Sequence, residues 1–269
     1  MNRENLVKIL GREPYSDLVN FKLDLPNDTI LVTGGKGSIG QLLIDRINCK
    51  RLILTDIDDL DVTDEFKVAS ALKEFNPSII IHLAASKYAP EGEEDSMNTL
   101  KINAIGTNNI IKYKPENCKI VLASTCKACN PETVYGASKL IAERLVLNSG
   151  GNVARFFNVV ETQGNVFELW EKQEVKKVAT LCNRYFVSVN EAVGLILYTC
   201  TQDKGRYIIN TDLLRKVTDI FKNLYGDETY KLILPRRGDR LTEKFKSENE
   251  HVERYLLNNS VIKMANSHD

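Results

Sequence analysis

Apolar and polar positions divide the chain into short continuous apolar runs and longer stretches with helical spacing. Thr29-Ile30-Leu31-Val32, Arg51-Leu52-Ile53-Leu54-Thr55, Ile79-Ile80-Ile81-His82-Leu83, Lys119-Ile120-Val121-Leu122-Ala123 and Val153-Ala154-Arg155-Phe156-Phe157 are of the first kind. Apolar on successive residues and too short for core helices, they read as strands covered on both faces, as in a parallel sheet. Between them, Ile39, Leu42, Leu43, Ile44 and Ile47 recur at helical spacing, and stretches 64–76, 94–113 and 135–148 do the same. Asn76-Pro77 breaks the second of these. Regular alternation of strand and helix predicts the α/β class, with a doubly wound parallel sheet.

The two ends depart from that rhythm. Leu6-Val7 and Ile9-Leu10 suggest a short helix closed by Gly11-Arg12-Glu13-Pro14, so residues 1–28 are expected to pack on the outside of the main domain. Residues 29–160 form that domain. Beyond 160 a helical stretch at 166–173 carries the single tryptophan, Trp170, and short strands are expected near 176–181 and 206–209. Residues 161–269 are therefore read as mainly a small C-terminal lobe.

Composition narrows the possibilities. The 269 residues are 43% hydrophobic, enough for a full core. Lys+Arg and Asp+Glu stand at 36 each, which leaves no basic field to collect nucleic acid. No apolar run approaches the roughly 20 residues of a membrane span, and the polar N-terminus is unlike a signal peptide. A cytoplasmic protein without membrane insertion is expected. The six cysteines are irregularly spaced and read as reduced thiols. Cys126-x-x-Cys129 has no second pair to complete a zinc site, and no metal is expected. His82 reads as a core histidine.

The chemistry begins at Thr33-Gly34-Gly35-Lys36-Gly37-Ser38-Ile39-Gly40, between the first strand and its helix. The glycines fit both Gly-x-Gly-x-x-Gly and Gly-x-x-Gly-x-x-Gly. In a strand–turn–helix context this is the fingerprint of a Rossmann-type dinucleotide site: glycine lets the backbone approach a pyrophosphate, and the helix start offers it N–H groups. Gly34, Gly37, Ser38, Ile39 and Gly40 are the candidate contacts. Asp56 ends the second strand roughly 20 residues beyond Gly37, where a carboxylate binds ribose hydroxyls and repels a 2′-phosphate. That favours NAD(H). Asp61 and Val62 are read as a lid over the adenine, and Ala84 as a small residue under the cofactor. Lys87 follows at the strand edge where ligands of such sheets bind.

Tyr135 and Lys139 lie one turn apart on a predicted helix that follows the fourth strand. A tyrosine of pKa about 10 is a poor base near neutrality, but an adjacent ammonium and a cationic cofactor stabilise its phenolate. It then exchanges a proton with a sugar hydroxyl or ketone, with Lys139 also on the nicotinamide ribose and Thr125 on the same substrate oxygen.

The segment Ser124-Thr125-Cys126-Lys127-Ala128-Cys129-Asn130-Pro131 through Tyr135-Gly136-Ala137-Ser138-Lys139 resembles the active-site segment of the CapD-like branch of extended short-chain dehydrogenase/reductases, the inverting UDP-N-acetylglucosamine 4,6-dehydratases. His82-Leu83-Ala84-Ala85-Ser86-Lys87, Arg184-Tyr185-Phe186 with Glu191-Ala192, and Arg236-Arg237-Gly238-Asp239-Arg240-Leu241-Thr242-Glu243 resemble other stretches of that branch. The resemblance implies a UDP-sugar substrate, a C-terminal lobe closing over it and a homo-oligomer. It places Asn165 and Val166 near the sugar and diphosphate, with Arg236, Asp239 and Arg184 also on the substrate side.

One departure matters. Where the dehydratases carry the acid that helps expel the C6 hydroxyl, this chain has Cys126, and a thiol of pKa about 8.5 is a much weaker acid than a carboxylic acid. Tyr135, Lys139, Thr125 and Lys127 remain. The expectation is an enzyme similar to the Pal-type reductases of pseudaminic acid biosynthesis. It would reduce a 5,6-unsaturated 4-keto UDP-amino sugar, with Cys126 delivering the C5 proton or holding Lys127 in place to do so. The alternative is a complete 4,6-dehydratase using Cys126 in place of aspartate.

Overall fold

The computed structural model describes residues 1–173, 175–179, 181–235 and 240–267. Helices α1 (Arg3–Leu10) and α2 (Ser16–Val19) precede strand β1 (Leu23–Thr33). There follow α3 (Ser38–Leu43), β2 (Ile47–Thr55), α4 (Glu65–Phe75), β3 (Ile79–His82), α5 (Ala89–Glu94), α6 (Ser96–Leu100), α7 (Gly106–Tyr113), β4 (Lys119–Thr125), α8 (Val134–Asn148) and β5 (Asn152–Phe156). The remainder comprises β6 (Asn158–Val160), α9 (Val166–Lys172), β7 (Lys176–Ala179), β8 (Asn183–Arg184), β9 (Phe186–Ser188), α10 (Val189–Cys200), β10 (Gly205–Ile209), β11 (Arg215–Lys216), α11 (Val217–Tyr225), β12 (Tyr230–Ile233), β13 (Glu250–Leu256) and β14 (Val261–Asn266).

Among the described residues, eight strands form one sheet in the order β13-β14-β10-β5-β4-β3-β1-β2. From β2 to β10 neighbours run parallel, whereas β14 is antiparallel to β10 and β13 to β14. Alternate residues feed two apolar layers. Ile30, Val32, Ile79, Ile81, Val121 and Ala154 pack with the nearly buried α10 on one face. Leu31, Ile80, Ile120, Leu122 and Val153 pack with α4, α7 and α8 on the other. This is the doubly wound sheet expected from the alternation. The chain leaves β1 for β2 on one side and β3 for β4 on the other, so the crevice between the ends of β1 and β3 is the topological switch point where such sheets bind ligands.

Three expectations need correction. The glycine-turn helix stops at Leu43, and Ile47 opens β2 rather than continuing the helix. The reason is strand pairing, since Ile47, Asn48 and Cys49 lie in register with Leu23, Asp24 and Leu25. The N-terminal stretch does not pack on the main domain alone: α2 lies against α10 with Leu18 in the main core, but α1 joins the smaller lobe. Ile9 and Leu10 of α1 are buried with Phe167, Trp170 and Phe221 of the smaller lobe, and β1 already begins at Leu23. The segment 161–269 is also shared between the two halves: α9, α11 and the β7–β12, β8–β11 and β6–β9 pairs surround the smaller cluster, but α10, β10, β13 and β14 complete the main sheet.

Buried charge ties the late strands of the main sheet to α8 and β5. Glu143 of α8 and Glu250 of β13 are bracketed by Arg155 of β5 and Arg206 of β10, at 2.7–2.9 Å and with all four side chains at most 3% exposed. Arg12 reaches Glu191 of α10 at 2.6 Å. Glu191 also closes a capping box with Ser188.

Candidate active site

β1 delivers the glycine turn to the switch point. Gly34 has φ +69°, and a Cβ there would meet the Ala84 backbone at 2.7 Å, so only glycine allows the ends of β1 and β3 to lie this close. Gly37 differs: a Cβ there would approach only the Gly34 carbonyl, at 3.4 Å. The packing of the protein does not require Gly37. Its bareness leaves a cradle at the start of α3, where no side chain caps the first N–H groups. Ser38 Oγ accepts from the backbone N–H of Gln163 at 3.3 Å and ties the turn to the smaller lobe. The Ile39 side chain packs on the main core, so its backbone alone faces the crevice.

Asp56 stands at the end of β2 beside this turn and accepts from the N–H groups of Lys36 and Ile57, at 3.2 and 2.9 Å. A carboxylate at this place suits ribose hydroxyls and opposes a 2′-phosphate. Val62 does not form the expected lid. Its side chain is buried, and a Cβ at Gly106 would strike it at 2.6 Å. Asp61 is engaged by Thr63. His82 is a core residue, bridging Thr33 and Thr107, and burial followed by the charge of Lys139 lowers it to about 3.

Lys139 supplies the second sign of a missing ligand. It is 3% exposed, and its ammonium has no hydrogen-bond or ion-pair partner among the described residues. Burial draws it down to about 8 against the opposing pull of Glu143. An unpartnered buried cation beside a bare glycine cradle fits the ribose and pyrophosphate of a dinucleotide. Gly34, Gly37, Ser38, Gly40, Asp56 and Lys139 are the residues that would hold it.

Thr133 caps α8 and sets Tyr135 in its first turn. Burial raises the phenol, while Lys127 and hydrogen bonding with Thr125 pull it down. The ammonium acting on Tyr135 is thus Lys127 rather than Lys139, which stands one turn further into the helix. A π-turn over Lys101–Ile105 places Asn103, buried, between Ser86 and Ser138. Ser138 in turn donates to the Tyr135 carbonyl at 2.8 Å.

A cavity of about 490 Å³ opens beside this crevice toward the smaller lobe. Lys87, Lys127, Asn165, Val166 and Arg184 all line it, so the structure brings these five substrate-side residues together. Trp170, Phe167 and Phe186 make its apolar side. Asn165 spends its side-chain oxygen on the N-cap of α9 and donates to the Thr162 carbonyl. Arg184 lies 3.6 Å from Glu243 and is no free phosphate clamp. Arg236 and Asp239 fall outside the described residues.

Cys126 is the main correction. It is 1% exposed, belongs to the central apolar cluster and does not line the cavity. Burial, then the nearby carboxylate of Glu243, pushes its thiol up to about 12. Shut in the core and off the cavity wall, the thiol is out of reach of a leaving hydroxyl or a carbon atom held in the cavity. Nor does it hold Lys127. That is done by Glu243, whose Oε1 lies 3.1 Å from Lys127 Nζ, and by Asn158 Oδ1 at 3.4 Å. Glu243 was not singled out in the sequence, although it closes the Arg-Arg-Gly-Asp-Arg-Leu-Thr-Glu stretch.

A crevice at the switch point that fits a dinucleotide, with Tyr135, Thr125 and Lys139 beside it on α8 and β4, is the arrangement of the extended short-chain dehydrogenase/reductase class. Within it, the chain belongs to the polysaccharide biosynthesis protein family, whose model matches residues 59–265. An uncharacterized membrane protein of Methanocaldococcus jannaschii is 32% identical over 88% of this chain and 84% of its own. A UDP-N-acetylglucosamine 4,6-dehydratase (inverting) of Campylobacter jejuni is 29% identical over 83% of this chain and 79% of its own. The X-ray structure of Pen from Bacillus thuringiensis shares the fold, with TM-score 0.72 at 22% identity over 82% of this chain and 83% of that one. Among the described residues no helix is long and apolar enough to cross a membrane.

Proposed function

We propose that the enzyme reduces a 5,6-unsaturated 4-keto UDP-amino sugar in the assembly of a pseudaminic-acid-type surface glycan. The observation that carries this reading is the state of the acid position. Expelling a hydroxyl as water needs a protonated acid in contact with it. Cys126 is a buried thiol that does not line the cavity. Among the described residues the carboxylate beside it, Glu243, has its oxygens engaged by Lys127, Asn158 and the Tyr185 N–H. A thiol out of reach and a carboxylate already engaged support reduction over elimination.

In this reading NADH supplies the hydride that C6 accepts. Tyr135, kept protonated by burial, donates to the C4 oxygen with Thr125 beside it and draws electron density out of the conjugated double bond. Lys127, ionised beside Glu243, faces the cavity and returns the proton at C5. Lys87 at the cavity rim suits the diphosphate as a cation.

The test is to incubate the protein with UDP-N-acetylglucosamine alone, and separately with the unsaturated 4-keto sugar and NADH, and to follow products by mass spectrometry. A gain of two mass units on the second substrate, with the first untouched, is expected. Conversion of the first substrate alone to a 4-keto-6-deoxy sugar would reject the reading in favour of a complete dehydratase.

A further inference from the structure

The mechanism above leaves open why Lys127 should give a proton rather than take one. A lysine in the same place could equally be a base, since which role it plays depends on what surrounds its ammonium. The surroundings are specific. Lys127 is 19% exposed at the side chain and its partner Glu243 is 1% exposed, so the pair is largely shielded from water. Glu243 is held by three hydrogen-bond donors and one further cation, drawn from three segments of the chain. Lys127 follows β4 and lies 3.1 Å from Oε1, and Asn158 of β6 donates to Oε2 at 2.7 Å. The N–H of Tyr185 donates to Oε2 at 3.2 Å, and Arg184 of β8 stands 3.6 Å from Oε1. Asn158 also accepts from Lys127 at 3.4 Å, which closes a ring of three side chains. Its location at the cavity wall sets this ring apart from the buried Glu143–Arg155 cluster behind α8.

We propose that Glu243 is a positioning residue that holds Lys127 as an ammonium facing the cavity and so makes Lys127 the donor of the C5 proton. The assignment rests on the reductive reading for the identity of the acceptor carbon, but not for the state of Lys127. In the step, one N–H bond of Lys127 breaks and a C–H bond forms at C5, using the electron pair released there when C6 has accepted hydride from NADH. Lys127 is left as a neutral amine and is recharged by water.

One carboxylate, Glu243, faces the Lys127 ammonium directly. Burial opposes its charge, but Glu243 and then Cys126 and Tyr135 outweigh burial and raise it above the ordinary lysine value. Arg184, the other cation of the group, is itself directed at Glu243. A base of raised pKa stays charged through the neutral range and loses its proton only above the value of an ordinary lysine, about 10.4.

The state of Lys127 can be read without turnover. Amines react with acetic anhydride only as free bases, so the pH dependence of acetylation at Lys127, followed by peptide mass spectrometry, reports its protonation. In the wild-type protein the midpoint is expected above that of exposed lysines in the same digest. In Glu243→Gln, which keeps an acceptor for Asn158 and Tyr185, it should fall by at least one pH unit, a tenfold rise in labelling at fixed pH. Glu243→Asp should recover part of the shift. On the unsaturated sugar, Glu243→Gln should lose kcat with a descending limb at lower pH and little change in KM. A wild-type midpoint at or below that of surface lysines overturns the assignment, even if the variants fail to fold. So does an unmoved midpoint in Glu243→Gln. If the midpoints behave as stated but the unsaturated sugar is not reduced, the reductive reading fails and the hold of Glu243 on Lys127 stands.

Discussion

Tyr135→Phe is expected to lower turnover by about 10²- to 10⁴-fold, the usual worth of a positioned proton donor. NAD(H) affinity and melting temperature should stay unchanged. The phenol contributes one hydroxyl, placed beside Thr125 and under the influence of Lys127. Its loss removes the donor to the C4 oxygen but leaves the ring that packs α8. Thr125 keeps a partner, since its hydroxyl also accepts from the Lys127 N–H at 3.3 Å. The residues that would hold the cofactor are the glycine turn, Asp56 and Lys139, none of which is hydrogen-bonded to the phenol oxygen. Steady-state rates on the unsaturated sugar, with cofactor titration and thermal melting alongside, check the prediction. Retention of full turnover would exclude both the reductase and the dehydratase readings.

Arg155→Met is expected to have the largest effect on stability, roughly 3–5 kcal/mol, because it strips a partner from buried carboxylates without removing them. Arg155 donates to both oxygens of Glu143 and both of Glu250. Without it, Arg206 alone faces two buried negative charges. The melting temperature should fall by on the order of 10 °C. A fall of less than about 2 °C would show that the cluster does not tie β13 and α8 together. The cluster also sets a pH signature. Burial alone would raise Glu143, but Arg155 and Arg206 outweigh it and bring the group down to about 2. Its folded value lies below its unfolded value, so the stabilisation is complete above the ordinary carboxylate range and is lost as pH falls toward 2.

The parts of the molecule visible in the sequence are those where local pattern and tertiary role coincide. Ile79–His82 is apolar at every position because both faces of β3 are covered. The glycine turn was legible because the close approach of β1 and β3 demands Gly34 whatever else the chain does. Tyr135 and Lys139 were legible because one helical turn fixes their relation. What escaped notice was non-local. The last two strands of the sheet, β13 and β14, carry charged residues and no long apolar run, because β13 is an edge strand. Their signal was the Asn258-Asn259 pair between them, in which Leu257, Asn258 and Asn259 all take positive φ, a conformation asparagine tolerates best after glycine. The burial of Cys126 could not be inferred from its neighbours in sequence. It follows from Phe157, Tyr185 and Val187 closing over β4 from segments far along the chain. Glu243 was present in a stretch matched by resemblance, but its role depends on meeting Lys127 across 116 residues.

That same meeting turns the question of Cys126 around. The sequence suggested that sulfur had taken over the duties of a carboxylic acid. In the fold, sulfur is withdrawn into the core, and Lys127, paired with Glu243, is the group proposed for the proton duty. Such an arrangement supports the reduction proposed above over an elimination.

The most direct test of that claim follows the origin of the hydrogen at C6. The unsaturated 4-keto sugar is supplied with NADH deuterated at the transferring position of the nicotinamide, and the product is analysed by nuclear magnetic resonance. One deuterium at C6 for each NADH consumed is the predicted result. If instead a saturated UDP-amino sugar deuterated at C4 delivers that deuterium to C6, with no net loss of NADH, the protein completes the whole dehydratase cycle and the account is contradicted.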